Sequence, residues 1–338
     1  MDILSESGGV DRSRIARQKM IEKGIYVLLL LAAVSSIAIT VGIMQILIVD
    51  TYEFFKDLPQ KFAEQAQEFA EQGNEELANL FKNLNPFLEF FTGAEWTPLF
   101  SPARFGILPL LSGTLVTSTV GLCLAIPFGT SISLYLSEFA NAKLRETLKP
   151  ILELIAGVPS VVFGYFALGF VNPIVQDIAE VFGYQLAGAN MLGAGIVIGI
   201  SIIPLISSVS EDAMRAVPVQ MREGSYAMGA TRMQTAFKVV IPAAFSGIIA
   251  SYILGISRAV GETMISAIAA GLQPNFTWNP LEPAATVSAF IVQVTLGDLE
   301  VGSIQYLSVF AAGMMLAVTT LTLNVIGFFL IRKFRERY

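Results

Sequence analysis

EGSYAMGATRMQTAFKVVIP, Glu223 to Pro242, is a polar, turn-containing stretch set between two hydrophobic runs. Pro218 suits the first turn of a helix, and Gly229, about three turns later, suits the left-handed position that ends one. The spacing predicts a short helix outside the membrane. Its apolar Val219, Tyr226, Ala227 and Met228 mingle with Arg222 and Glu223, a surface suited to a groove on a soluble partner. A helical loop resting on lipid headgroups fits the same residues. Taken alone, the stretch leaves both readings open.

Outward from it the chain is apolar. Hydrophobic residues make up 54% of the 338 and charged residues 14%, against about 25% charged in soluble domains. Much of the surface therefore faces lipid. Six apolar runs with few or no charges approach or exceed the length of about 20 residues that crosses a bilayer as a helix: 25–49, 107–136, 151–170, 186–208, 239–271 and 305–331. The expected fold is all-α, a polytopic membrane protein. The first run follows a basic leader without a small-residue cleavage pattern, so it reads as a retained helix rather than a signal peptide.

Charge sets the orientation. With both ends cytoplasmic, the inner segments 1–24, 137–150, 209–238 and 332–338 hold 16 of the 21 Lys and Arg, a strong positive-inside pattern. Residues 50–106 become an outer insertion carrying ten of the 27 Asp and Glu. That acidic face attracts a soluble protein with a basic rim, or is simply solvated. Within it Phe55, Leu58, Phe62, Ala66, Phe69, Leu77, Leu80 and Leu84 recur at helical spacing, interrupted at Gly73 and Asn74. The pattern predicts a broken amphipathic helical hairpin packed on the spans or on a neighbouring subunit.

Several chemistries are excluded. The chain has no histidine and one cysteine, Cys123, which removes intrachain disulfides, zinc sites and Cys-His catalysis. No G-x-x-x-x-G-K-[ST] phosphate loop occurs. The expectation is therefore a chain that does not hydrolyse a nucleotide by itself, is no enzyme alone and holds no cofactor, with any ATP and magnesium bound by a partner.

Three features lie inside the spans. Arg258 and Glu262 are four residues apart in the otherwise uncharged run 239–271, which predicts one helix face and mutual neutralisation. A planar guanidinium suits an oxyanion in transit, and a structural ion pair near the outer boundary fits equally. Gly157 and Pro159 in AGVPSVVFGYF, from Ala156, predict a bend, serving either packing or a gate hinge. Gly195 and Gly199 in GAGIVIG form a small-xxx-small pair for helix packing rather than a dinucleotide fingerprint.

The opening stretch resembles the EAA loop of ABC importer permeases, E-A-A-x-x-x-G followed by nine residues and I-x-L-P. Glu223, Gly229, Val239, Ile241 and Pro242 fall in register, with Gly224 and Ser225 in place of the two alanines. Three further stretches resemble the permeases of Pst phosphate importers: IPFGTSISLYLSEFA from Ile126, LKPILELIAGVPSVVFGYF from Leu148 and ISRAVGETM from Ile256. Met264 after Gly261, Glu262 and Thr263 is similar to the C-type permease, PstC, of that system. The likeness spans about residues 107–335. It implies a type I importer permease of the bacterial inner membrane, with six helices and both termini cytoplasmic. Its implied partners are a PstA-type permease, two PstB-type ATPase subunits and a PstS-type periplasmic phosphate-binding protein. It further implies that Arg222, Glu223, Tyr226, Ala227, Met228 and Gly229 form the coupling helix to the ATPase. Arg258 and Glu262 would lie on the phosphate pathway. An ion-coupled carrier or channel, or a permease for another oxyanion, is the alternative.

Overall fold

A computed structural model describes residues 12–334. The ends of the basic leader and tail, residues 1–11 and 335–338, lie outside the described residues. In chain order the helices are α1 (Arg12–Glu71), α2 (Glu75–Asn83), α3 (Pro86–Thr92), α4 (Leu108–Leu134), α5 (Ala142–Ala156), α6 (Ser160–Phe166) and α7 (Asn172–Val181). They continue with α8 (Met191–Arg215), α9 (Val219–Ala227), α10 (Arg232–Thr235), α11 (Ile241–Val260), α12 (Val287–Thr295) and α13 (Ile304–Phe334). Wider π-type turns at Tyr135–Phe139, Ala167–Val171 and Ala236–Val240 extend α4 and join α6 to α7 and α10 to α11. Among the described residues six helical stretches are long and apolar enough to cross a membrane: Lys19–Glu71, Leu108–Phe139, Ser160–Val181, Met191–Arg215, Arg232–Val260 and Ile304–Phe329.

The chain divides at Asp50 into two units. The first contains the apolar beginning of α1, where Leu28, Leu31 and Ile37 are exposed. An apolar surface of this kind requires lipid or another chain around it.

The second unit, from Thr51, is built around α4 and α8. Glycines let these two helices touch backbone to backbone. A Cβ on Gly199 would meet the Gly121 carbonyl at 2.6 Å, and one on Gly121 would meet the Gly195 carbonyl at 3.0 Å. The packing expected of Gly195 and Gly199 is therefore present, with Gly121 as the facing residue. Ile198, Ile202 and Ile206 of α8 extend the core to Ala259 of α11 and to Ile265. Ser210 of α8 and Ser251 of α11 share a hydrogen bond of 2.7 Å. Thr130 and Tyr252 do the same between α4 and α11, also at 2.7 Å.

The hairpin expected in residues 50–106 forms. Gly73 turns the chain at φ +78°, and Asn74 and Asn85 cap α2 and α3 by accepting from backbone N–H groups. Phe54, Phe62, Phe81, Phe90, Trp96 and Phe105 form its core against Phe290 of α12 and Leu307 of α13. The Trp96 and Phe290 rings meet edge to face, 5.1 Å apart. Arg104 lies over the Phe81 ring and pairs with Glu89 at 3.4 Å and Glu95 at 3.3 Å. The hairpin is thus seated on α12 by aromatic packing and on the start of the last crossing helix through Leu307.

Two expected spans are corrected. The run 151–170 is not one helix: α5 ends at Ala156 and the crossing helix starts at Ser160. Pro159 lacks an N–H and turns the residue before it away from helical backbone, so the chain breaks there. The run 239–271 likewise ends as a helix at Val260, with Gly261 as its cap.

Candidate functional site

The stretch that opened the sequence folds as a helix between spans. Pro218 takes an extended conformation before α9, and Gly229 supplies the left-handed exit at φ +83°. Thr231 and Gln234 then make a reciprocal capping box that starts α10. No residue of α9 is buried. Glu223, Tyr226, Ala227, Met228 and Gly229 are all exposed, Met228 to 88%. These five expected site residues form one open surface.

Arg222 does not belong to it. Its side chain is 15% exposed and turned inward, with Nη2 donating to Glu138 Oε1 at 3.0 Å and to the Met214 carbonyl at 2.8 Å. Its Nη1 donates to the Val217 carbonyl at 2.6 Å. The donor fork satisfies a carbonyl in the last turn of α8, the Val217 carbonyl just beyond it and a carboxylate at the end of α4, a better environment than the surface its charge had suggested. Sequence spacing carries no trace of this, because Glu138 is 84 residues away.

A second charge cluster was missed by sequence reasoning. Glu211 of α8 is 1% exposed and pairs with Lys149 of α5 at 2.9 Å, with Arg215 at 3.6 Å and with Arg145 at 4.0 Å. Lys149 also donates to Asp212 at 2.6 Å. Partial burial pulls the Lys149 pKa down, but its bonds to Asp212 and Glu211 and their charges prevail and leave it raised above 10.5. Its stabilising contribution is thus complete below pH 10.5 and is lost as pH rises through the raised value. This ionic contact ties α5 to α8. Replacing Lys149 by methionine should destabilise the protein by about 3 kcal/mol, the low end for breaking a buried pair because Arg215 remains nearby. The thermal unfolding midpoint reads this, and adding Glu211→Gln should restore part of the loss.

Arg258 and Glu262 are not one helix face. Arg258 is in the last turn of α11, whereas Glu262 lies beyond the break at Gly261. No ion pair within 4.0 Å joins them among the described residues. Glu262 instead begins the next helical turn: the Ile265 N–H approaches its Oε1 at 3.5 Å, and its carbonyl accepts from Ser288 Oγ at 2.8 Å. Arg258 is half-buried, and its side chain makes no hydrogen bond or ion pair among the described residues.

At the expected hinge, Gly157 has ordinary helical backbone, φ −82° and ψ −7°, and Pro159 precedes α6. They separate two helices rather than bend one. Gly164, further on, is a packing position, since a Cβ there would meet Ile268 at 2.7 Å.

Residues 125–338 match the family described as the binding-protein-dependent transport system inner membrane component. The chain belongs to that family. The permease is 33% identical over 231 residues to the probable ABC transporter permease protein YqgH of Bacillus subtilis, covering 68% of this chain and 73% of that protein. It is 31% identical over 277 residues to the phosphate transport system permease protein PstC 1 of Mycobacterium bovis, covering 73% and 82%. Among solved structures it is similar to an inward-facing MetNI methionine ABC transporter chain, with TM-score 0.52 and 21% identity, covering 68% and 95%. That likeness supports the fold, a type I ABC importer permease. The protein is therefore a multi-pass membrane subunit of an ABC importer.

Proposed function

We propose that this permease carries inorganic phosphate inward across the bacterial inner membrane, as the PstC-type half of a heterodimer with a PstA-type permease. The observation that carries the reading is its likeness, over 73% of its length, to a permease named for phosphate transport. The Lys and Arg of the segment that holds α9 and of the two ends of the sequence favour a cytoplasmic side for each of them. There the open surface of Glu223, Tyr226, Ala227, Met228 and Gly229 meets one of two PstB-type ATPase subunits, which bind the ATP and magnesium. A PstS-type protein delivers phosphate from outside, where the acidic hairpin faces it.

The mechanism is alternating access. Closure of the ATPase pair on ATP displaces α9, and the spans respond by opening the path outward; hydrolysis resets it. The ATPase must therefore bind the two permease states with different affinity, since equal affinity shifts nothing. The break at Gly157 and Pro159 is where the third crossing helix turns against α5. Arg258 offers a guanidinium fork to the passing anion, and Glu262 holds the adjoining turn. Discrimination among oxyanions belongs to the binding protein, which can test each oxygen with a hydrogen bond.

Co-reconstitution of the four components in liposomes tests this. Uptake of radiolabelled phosphate should require external binding protein and internal ATP, and should vanish when the ATPase is omitted. Uptake by this chain alone would instead identify an ion-coupled carrier, and uptake of sulfate in place of phosphate would change the substrate.

A further inference from the structure

We propose that Arg222 is a positioning residue that transmits movement of α9 to the ends of α4 and α8. The inference rests on α9 being the ATPase-facing helix.

With no fully buried residue of its own, α9 is held by a few half-buried side chains. Met221, Ser225 and Arg222 attach it among the described residues. Met221 packs on the apolar cluster of Met214, Val217 and Val240. Ser225 shares a hydrogen bond of 2.8 Å with Thr235 at the base of α10. Arg222 makes a third attachment, and its hydrogen bonds reach Glu138 at the end of α4. Its Nε also donates to Glu138 Oε2, at 3.4 Å. Glu138 is 5% exposed and additionally accepts from Ser137 Oγ at 2.8 Å.

This geometry determines what a push on α9 does. The guanidinium is rigid and planar, and its bonds converge from two spans, so α9 cannot tilt freely while they persist. Breaking them would strand the buried Glu138 carboxylate and the carbonyls of Met214 and Val217 without a cation. Displacement of α9 is therefore passed to the ends of α4 and α8, the two helices locked together by Gly121, Gly195 and Gly199. A lysine keeps the charge but presents a single point of attachment, so it cannot reproduce the linkage.

The four-component complex in liposomes gives the test, with phosphate uptake, ATP hydrolysis and the amount of copurified ATPase measured together. Arg222→Lys and Arg222→Gln should retain the ATPase and hydrolyse ATP while phosphate moved per ATP falls about fivefold or more, a typical allosteric coupling loss. Glu138→Gln should give a smaller fall, since the bonds to the carbonyls remain. An unchanged phosphate-to-ATP ratio in all three would overturn the proposal even if their unfolding midpoints drop. Loss of copurified ATPase in Arg222→Lys would make Arg222 a docking residue instead. A second measurement does not depend on the transported ion: spin labels on Met228→Cys and Tyr135→Cys, with Cys123→Ser, report the distance between α9 and the end of α4. The distribution should be narrow with Arg222 and broaden in Arg222→Gln; an equally narrow one would also sink the linkage. Broadening without phosphate uptake by the unmutated complex would leave the linkage standing and refute the phosphate reading alone.

Discussion

Replacing Gly199 with valine is expected to abolish folded permease in the membrane. The Gly199 Cβ would lie 2.6 Å from the Gly121 carbonyl and 3.2 Å from Leu124. Backbone cannot yield as a flexible side chain can, so α4 and α8 must separate. Separation also loosens the contacts of Ile198, Ile202 and Ile206 with α11. Overpacking in cores costs about 1–3 kcal/mol and sometimes more, and here it falls on the central helix pair. Gly199→Ala should give a partial loss. Yield of monodisperse protein after detergent extraction and the thermal unfolding midpoint both read the effect. Gly224→Ala serves as the control, because nothing lies within 4 Å of a Cβ there. Near-normal yield of Gly199→Val would show that the helix contact is looser than the backbone distances indicate.

This seam was legible in sequence because small residues at a four-residue spacing have a direct packing consequence in a membrane helix. The existence of six crossing segments was legible for a similar reason: apolar length maps onto bilayer thickness. So was the turn at Gly73 and Asn74, which interrupts an otherwise regular apolar pattern. What escaped were contacts between distant charges. Lys149 and Glu211 join α5 to α8, yet hydropathy sees only a continuous apolar run across Pro159. Arg222 and Glu223 are adjacent and both charged, but one reaches carbonyls and a carboxylate supplied by tertiary packing while the other stays exposed. Of the candidate site, the exposed face of α9 followed from its turn signals. The inward Arg222 and the separation of Arg258 from Glu262 did not, because a four-residue interval means one face only while the helix continues.

That separation leads to the second large effect. Arg258→Gln is expected to reduce phosphate uptake by at least tenfold in an intact four-component complex, while Glu262→Gln acts chiefly on stability. An arginine side chain without protein partners among the described residues is costly inside a crossing helix, and on the proposed function a passing oxyanion would offset that cost by accepting its hydrogen bonds. Arg258→Lys should recover only part of the rate, since an ammonium lacks the planar fork. Glu262 has a different task. Its carboxylate meets the Ile265 N–H at 3.5 Å, a long capping contact, whose loss costs about 0.5–1 kcal/mol. Were the two residues an ion pair, removing Glu262 would strand a charged Arg258 and the double variant would be milder than the sum of the singles. The observed break at Gly261 predicts the opposite: in a double-mutant cycle on the unfolding free energy, the coupling should stay below about 0.5 kcal/mol. Uptake and unfolding measured on the same four preparations separate the cases. A coupling above about 1 kcal/mol would restore the ion pair, and unimpaired uptake by Arg258→Gln would remove that residue from the pathway.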